Sequence, residues 1–407
     1  MSETFDSRAD RAARLALVSL PGLGPARLRW LLSVHGPTEV AAQLRSGRLP
    51  EVDRAAPPGV TSTLIDRWGA ALRRADPEQL MIDNTADGSL VLDPADALWP
   101  FVDDPEPPAL LFARGDPELL TAGAMVAIVG TRRCTAVGRQ VATELGAGLA
   151  EAGVVVVSGL ATGIDGCAHQ GALAAGGRPV GVVGTGLDVV YPAANRGLWW
   201  QVAERGLLLT EAAVGTKPER WRFPARNRLI AGLADAVIVV ESHAAGGSMH
   251  TVHEAAERGR LVMAVPGAVT NPAAAGTNRL LADGCPPVTS AIDVIETLGI
   301  TASTPPADRP IDGSGDDSTT PPTDSGSPID RGSSPGPSPG LSALHQRILA
   351  EARAGSVHLD DLVHTTVGGA SPAASIREVL AAVHDLVEQG AVGLEGATVS
   401  LRQQPPL

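Results

Sequence analysis

Residues 125–165 read MVAIVGTRRCTAVGRQVATELGAGLAEAGVVVVSGLATGID, and the order of patterns within them decides the fold. An unbroken aliphatic run, Met125–Val129, meets a Gly-Thr-Arg-Arg turn, and a helical pattern over Val137–Ala152 follows. A second aliphatic run, Val154–Val157, then ends in Ser158-Gly159. A strand that faces water on one side alternates apolar with polar, whereas one covered on both sides is aliphatic throughout. Working outward, Val180–Val183, Leu207–Thr210, Ala236–Val240 and Leu261–Val265 repeat the second pattern, with helix candidates such as Met249–Arg258 between most of them. Covered strands alternating with helices predict an α/β fold, a doubly wound parallel sheet, over 121–299.

The flanks read differently. Residues 1–75 predict a small helical domain, because Leu15, Val18, Leu28, Leu31 and Leu32 fall at helix-like spacing. Residues 76–120 form an acidic, proline-spotted connecting extension with room for a short strand or two. Residues 300–340 are dominated by Pro, Ser, Thr, Asp and Gly, too few apolar groups to offset the entropy of ordering, and predict a disordered linker. In 341–407, helical patterns at 344–354, 359–365 and 373–389 precede two short strands, 392–394 and 399–401, which suggests a winged-helix domain. Its third helix has Arg377 facing Glu378, Asp385 and Glu388, which favours a protein contact over insertion into a DNA groove.

Composition narrows the function classes. No run of about 18 apolar residues exists to span a membrane, and the charged first residues lack the core of a signal peptide. Three well-separated cysteines, Cys134, Cys167 and Cys285, match neither a zinc site nor a disulfide framework, as expected of a cytoplasmic protein. No G-x-x-x-x-G-K-[ST] loop and no H-E-x-x-H helix occurs, and no metal or cofactor is implied. The net charge of −13 is unevenly distributed. Residues 76–120 carry −10 and 121–299 carry zero, while Lys217–Arg228 carries +4 over twelve residues. Phosphate affinity follows such a local patch rather than the total.

Candidate binding residues gather where predicted strands end. Gly130 and Arg132 follow the first strand, Ser158, Gly159 and Gly163 the second, and a Gly-Thr-Gly loop leading to Tyr191 and Asn195 the third. Gly247 and Ser248 open a helix after the fifth. In open α/β sheets ligands bind at this carboxyl edge, where glycines admit close approach and helix N-termini offer free N–H groups to phosphate. Asp165 and His169 share a helix face, but no nucleophile accompanies them, and Asp165 reads first as a helix-opening residue. His250 and His253 read as helix-surface residues. The segment 217–228, KPERWRFPARNR, interleaves cations with Trp221 and Phe223. Cations that follow a backbone beside aromatic faces that stack on bases suit single-stranded nucleic acid.

Taken in order, GTRR with Gly138, SGLATGIDGCAH, GTGLDVVYPAAN, LLTEA, FPARNRLIAGLADAVIVVE, GGSMHT and PGA resemble the DNA-processing protein A family, DprA or Smf, over about 125–290. The resemblance implies an extended Rossmann-like fold that is not an enzyme. It implies binding of single-stranded DNA, a homodimer, and loading of a RecA-type recombinase in natural transformation. The contacts it implies are Arg132, Ser158, Gly159, Lys217, Phe223, Arg226 and Asn227. One rival stands beside it: Gly246-Gly247 with Thr251 and Glu254 is similar to the G-G-x-G-T-x-x-E of nucleoside-monophosphate phosphoribohydrolases, although one residue longer in spacing.

Overall fold

In a computed structural model of the chain, the described residues are 7–300, strands at 357–358, 392–395 and 398–401, and four isolated helical positions between 348 and 386. The chain divides into two compact units, Met1–Ile311 and Asp312–Leu407. The first opens with helices α1 (Ser7–Val18), α2 (Pro25–Leu32), α3 (Pro37–Arg45), α4 (Ser62–Arg74) and α5 (Pro77–Thr85). Proline stands at the start of α2, α3 and α5, where its fixed φ suits a helix and its missing N–H costs nothing. Leu17, Leu31, Val40, Leu44 and Trp68 close a core of their own among these helices.

Strands β1 (Leu90–Leu92) and β2 (Leu111–Gly115) lead into the alternating part of the chain. There β3 (Met125–Val129), α6 (Ala136–Glu151), β4 (Val155–Ser158), α7 (Ile164–Ala174), β5 (Val180–Val182), α8 (Arg196–Arg205) and β6 (Leu207–Thr210) follow. They are succeeded by α9 (Arg222–Leu233), β7 (Ala236–Val239), α10 (Ser248–Glu257), β8 (Leu261–Ala264), α11 (Ala275–Ala282) and α12 (Ala291–Leu298). The eight strands form one sheet in the order β1-β2-β6-β5-β4-β3-β7-β8. Strands β3 to β8 are parallel, as the aliphatic runs predict, while β2 pairs antiparallel to β6 and β1 to β2. The acidic extension thus contributes two strands at one side of the sheet, β1 as its edge, and the sheet is mixed.

Side-chain alternation along β3 explains the two covered faces. Met125, Ala127 and Val129 pack with Leu229, Ile230 and Leu233 of α9 and Ala255 of α10. Val126 and Ile128 pack on the opposite side with Leu145 and Leu149 of α6 and Ala168 of α7. Helices α6 and α7 meet backbone to backbone: a β-carbon on Gly171 would lie 2.0 Å from the Thr143 carbonyl oxygen, and one on Gly146 would lie 2.2 Å from that of Ala168. Glycine at both places sets the close approach.

In the second unit, β9 (Val357–His358), β10 (Val392–Glu395) and β11 (Thr398–Leu401) form a three-stranded antiparallel sheet in the order β10-β11-β9. The linker expected over 300–340, its first residue apart, and the helices expected at 344–354, 359–365 and 373–389 lie outside the described residues, apart from Ile348, Ala382, Val383 and Leu386. No helix among the described residues is long and apolar enough to cross a membrane.

Candidate nucleic-acid interface

The strand order reverses at β3: β4, β5 and β6 build outward on one side, and the chain then returns to lay β7 on the other. A crevice opens beyond the carboxyl ends of the strands at such a reversal. Here it is a cleft of about 570 Å³ bordered by Gly130, Arg132, Phe223, Asn227, Gly247 and Ser248. A smaller recess of about 70 Å³ adjoins it between Gly159, Thr185, Tyr191, Phe223 and Arg226.

Glu241, just past β7, holds the loop that carries Arg132. Its carboxylate accepts the Thr135 amide at 2.9 Å and the Thr135 hydroxyl at 2.5 Å, while its carbonyl accepts the Thr131 amide at 2.7 Å. Thr135 in turn caps α6 by accepting from the Gly138 amide at 3.0 Å. Gly138 leaves room for that carboxylate, since a β-carbon would lie 2.4 Å from it. Gly163 takes φ +82°, and a β-carbon there would meet the Thr131 carbonyl at 2.4 Å, so glycine is required twice over.

Arg132 projects from this loop, exposed, with no acidic partner among the described residues. Its guanidinium lies 5.2 Å from the Phe223 ring centroid. Phe223 lies 5.2 Å from the ring of Tyr191, tilted 32°. A cation and two aromatic rings therefore form a row along the cleft wall, drawn from two loops and the first turn of α9.

Arg226 behaves differently from the free cation that the basic segment suggests. It is 5% exposed and donates inward to the carbonyls of Gly159, at 2.8 Å, and Val182. Burial lowers its pKa to about 10, with Arg132 adding to the shift and Asp165 opposing it. It forms part of the cleft floor. Arg228 is buried as well, paired with Glu211 and bonded to the Glu106 carbonyl at 2.9 Å. Arg222 pairs with Glu219 at 3.0 Å. The +4 of this segment overstates its available charge for this reason, and Lys217 and Arg220 are its exposed, unpaired cations among the described residues.

Other sequence-stated candidates divide by where their polar atoms point. The Ser158 hydroxyl is fully buried and donates to the Ile128 carbonyl at 2.6 Å, away from the cleft. Ser248 donates to the Ser242 hydroxyl at 2.8 Å. Gly159 borders the recess, where a β-carbon would strike the Arg226 guanidinium at 2.4 Å. Gly247 is exposed and opens α10. Lys217 stands outside both openings. Asp165 accepts from the Gly159 amide at 3.2 Å, and neither ring nitrogen of His169 has a hydrogen-bond partner, so no acid–base pair forms. Burial raises the Asp165 carboxyl against the pull of Arg226.

Tyr191 of the third strand-end loop and Arg220 of the basic segment border the cleft, as does His250, which the sequence reading left on a helix surface. Tyr191 is the chain's one tyrosine, but nothing in its local spacing points to a partner 32 residues away. No group of three or more metal-ligating side chains occurs among the described residues.

Residues 92–299 match the sequence family described as DNA recombination-mediator protein A. The chain belongs to this family. A DNA processing protein DprA from Bacillus subtilis is 45% identical over 193 residues, which span 47% of this chain and 65% of that protein, just under two thirds of its length. A Mycobacterium tuberculosis relative carrying the DprA name is 38% identical over 312 residues, 72% of this chain and 76% of that one. The crystal structure of DprA from Streptococcus pneumoniae superposes with a TM-score of 0.57 at 30% identity, covering 71% of this chain and 97% of that one. Membership of the DNA recombination-mediator family agrees with the extended Rossmann-like sheet.

Proposed function

We propose that this member of the family binds single-stranded DNA along the carboxyl edge of its sheet and passes it to a RecA-type recombinase. The row Arg132–Phe223–Tyr191 carries the reading. An unpaired cation suits phosphate and adjacent ring faces suit unstacked bases, which a duplex keeps inside its helix. Arg132, Phe223, Asn227 and the Gly130 and Gly247 backbones contact the strand. Ser158, Gly159, Gly163, Ser248 and Arg226 shape the wall, and Lys217 meets the phosphates of a longer strand. The protein acts in the cytoplasm as a homodimer and performs no catalysis.

The phosphoribohydrolase rival needs the glutamate of its own motif in the cleft. Glu254, its candidate, pairs with Arg258 at 2.7 Å and faces a different groove. Anisotropy with labelled oligo-dT and a matched duplex, at low and physiological salt, tests the proposal. Salt-sensitive preference for the single strand is expected. Equal or absent binding, or release of free base from nucleoside monophosphates, overturns it.

A further inference from the structure

Helix α9 separates two openings. Phe223, Asn227 and Ile230 face the cleft already described, while Trp221, Arg222, Ala225 and Arg228 border a second groove of about 830 Å³. The groove's other wall is the turn between α1 and α2 and the start of α2, Leu20 to Arg29, together with Glu106–Leu110 and Arg67 of α4.

Its acids are all engaged. Glu106 pairs with Arg29 at 2.6 Å, Glu219 with Arg222 at 3.0 Å, Glu254 with Arg258 at 2.7 Å, and Glu211 with Arg228. Arg27 and Arg67 have no acidic partner among the described residues. Arg27 donates to the carbonyls of Gly22, at 2.7 Å, and Pro58, at 2.8 Å, which leaves its charge uncompensated. The Nε of Arg228, on a side chain only 3% exposed, is buried without a partner, as is one terminal nitrogen of Arg29.

Trp221 stands at the junction of the two openings. Its six-membered ring abuts Gly24, where a β-carbon would lie 3.1 Å away, and the Arg222 guanidinium lies 4.3 Å from a ring centroid. The indole remains 43% exposed despite both neighbours. A half-exposed indole backed by arginine, in a groove with uncompensated cations, has the make-up of a stacking platform for nucleobases. Arg220 lines the first cleft and its chain neighbour Trp221 the second, so the two openings adjoin at consecutive residues whose Cα atoms lie about 3.8 Å apart.

We propose that the groove is a second subsite for single-stranded DNA: the strand passes Arg220, stacks a base on Trp221, and meets phosphate charge from Arg27 and Arg67. The inference rests on the single-strand reading of the first cleft. The test compares the full chain's affinity for oligo-dT of about six and about sixteen nucleotides, lengths that bracket a single site. Trp221→Ala is expected to weaken the longer oligomer by about tenfold while sparing the shorter one, and Trp221→Phe to keep most of the affinity. Arg67→Ala should lower the salt dependence for the longer oligomer alone. Equal weakening at both lengths would mean that Trp221 acts only through α9, and an unchanged variant would leave it no role; either overturns the subsite but not the first cleft. Failure of the wild-type chain to bind either oligomer overturns both readings.

Discussion

Arg226 donates to the Gly159 carbonyl at 2.8 Å across 67 residues of sequence, and a β-carbon on Gly159 would lie 2.4 Å from the same guanidinium. The glycine of the β4 edge and the arginine of α9 therefore fit as one unit: the first has no side chain so that the second can lie beneath the cleft. A cation spent on carbonyls keeps its charge near the ligand but gives up the freedom to follow a phosphate.

This fit predicts that Gly159→Ala destabilises the chain by about 1–3 kcal/mol, the usual cost of overpacking a filled site. Arg226 is anchored at two carbonyls and cannot swing aside without losing both. The urea midpoint should fall with an unchanged slope. A midpoint equal to wild type would show that the guanidinium moves freely.

Arg132→Ala should act on binding and leave folding alone, because the side chain is exposed and carries no ion pair or hydrogen bond among the described residues. If it neutralises one phosphate, the log–log salt slope for oligo-dT should shrink by about 0.7. The thermal midpoint should stay where it was. A full slope in the variant would remove Arg132 from the phosphate path.

The fold was largely legible because its signal is local. Each of the six aliphatic runs falls on a strand, to within a residue at either end, and covered strands need no partner information to be recognised. The antiparallel edge was not legible in detail, since β1 has only three residues inside a proline-spotted stretch. The cleft wall was legible only as an inventory of charges. Counting cations between 217 and 228 cannot reveal that Arg228 spends its charge on Glu211, nor that Arg226 reaches back to Gly159. Tyr191 meets Phe223 through the fold rather than through spacing, so no periodicity could announce it.

Glu241→Ala should couple stability to binding. The substitution removes the acceptor for both the amide and the hydroxyl of Thr135, part-buried donors that would then lack partners. The expected loss is about 1–3 kcal/mol in stability. The Arg132 loop would also loosen, so oligo-dT affinity should fall even at temperatures where the variant is fully folded. Reduced stability with wild-type affinity would separate the loop's anchor from its function.

His169 gives the fold a pH dependence whose sign follows from its burial. The ring is fully buried, and burial lowers its pKa to about 4, with the Ser158 backbone opposing the shift and Arg226 adding to it. In the unfolded chain the same group takes up its proton near pH 6.5. Between those values the unfolded state binds more protons, so stability must fall as the pH drops from about 6.5 towards 4, by about 3 kcal/mol over the whole window. Asp165 acts in the opposite sense: burial raises its carboxyl, so its contribution is complete at low pH and is lost as the pH rises through the folded value. Replacing the ring with an apolar side chain isolates the first effect. Urea unfolding of wild type and His169→Leu across this range should give a curve that drops on acidification for the first and a flatter one for the second. Parallel curves would mean that the ring is protonated in the folded protein, and that a partner for it forms in solution.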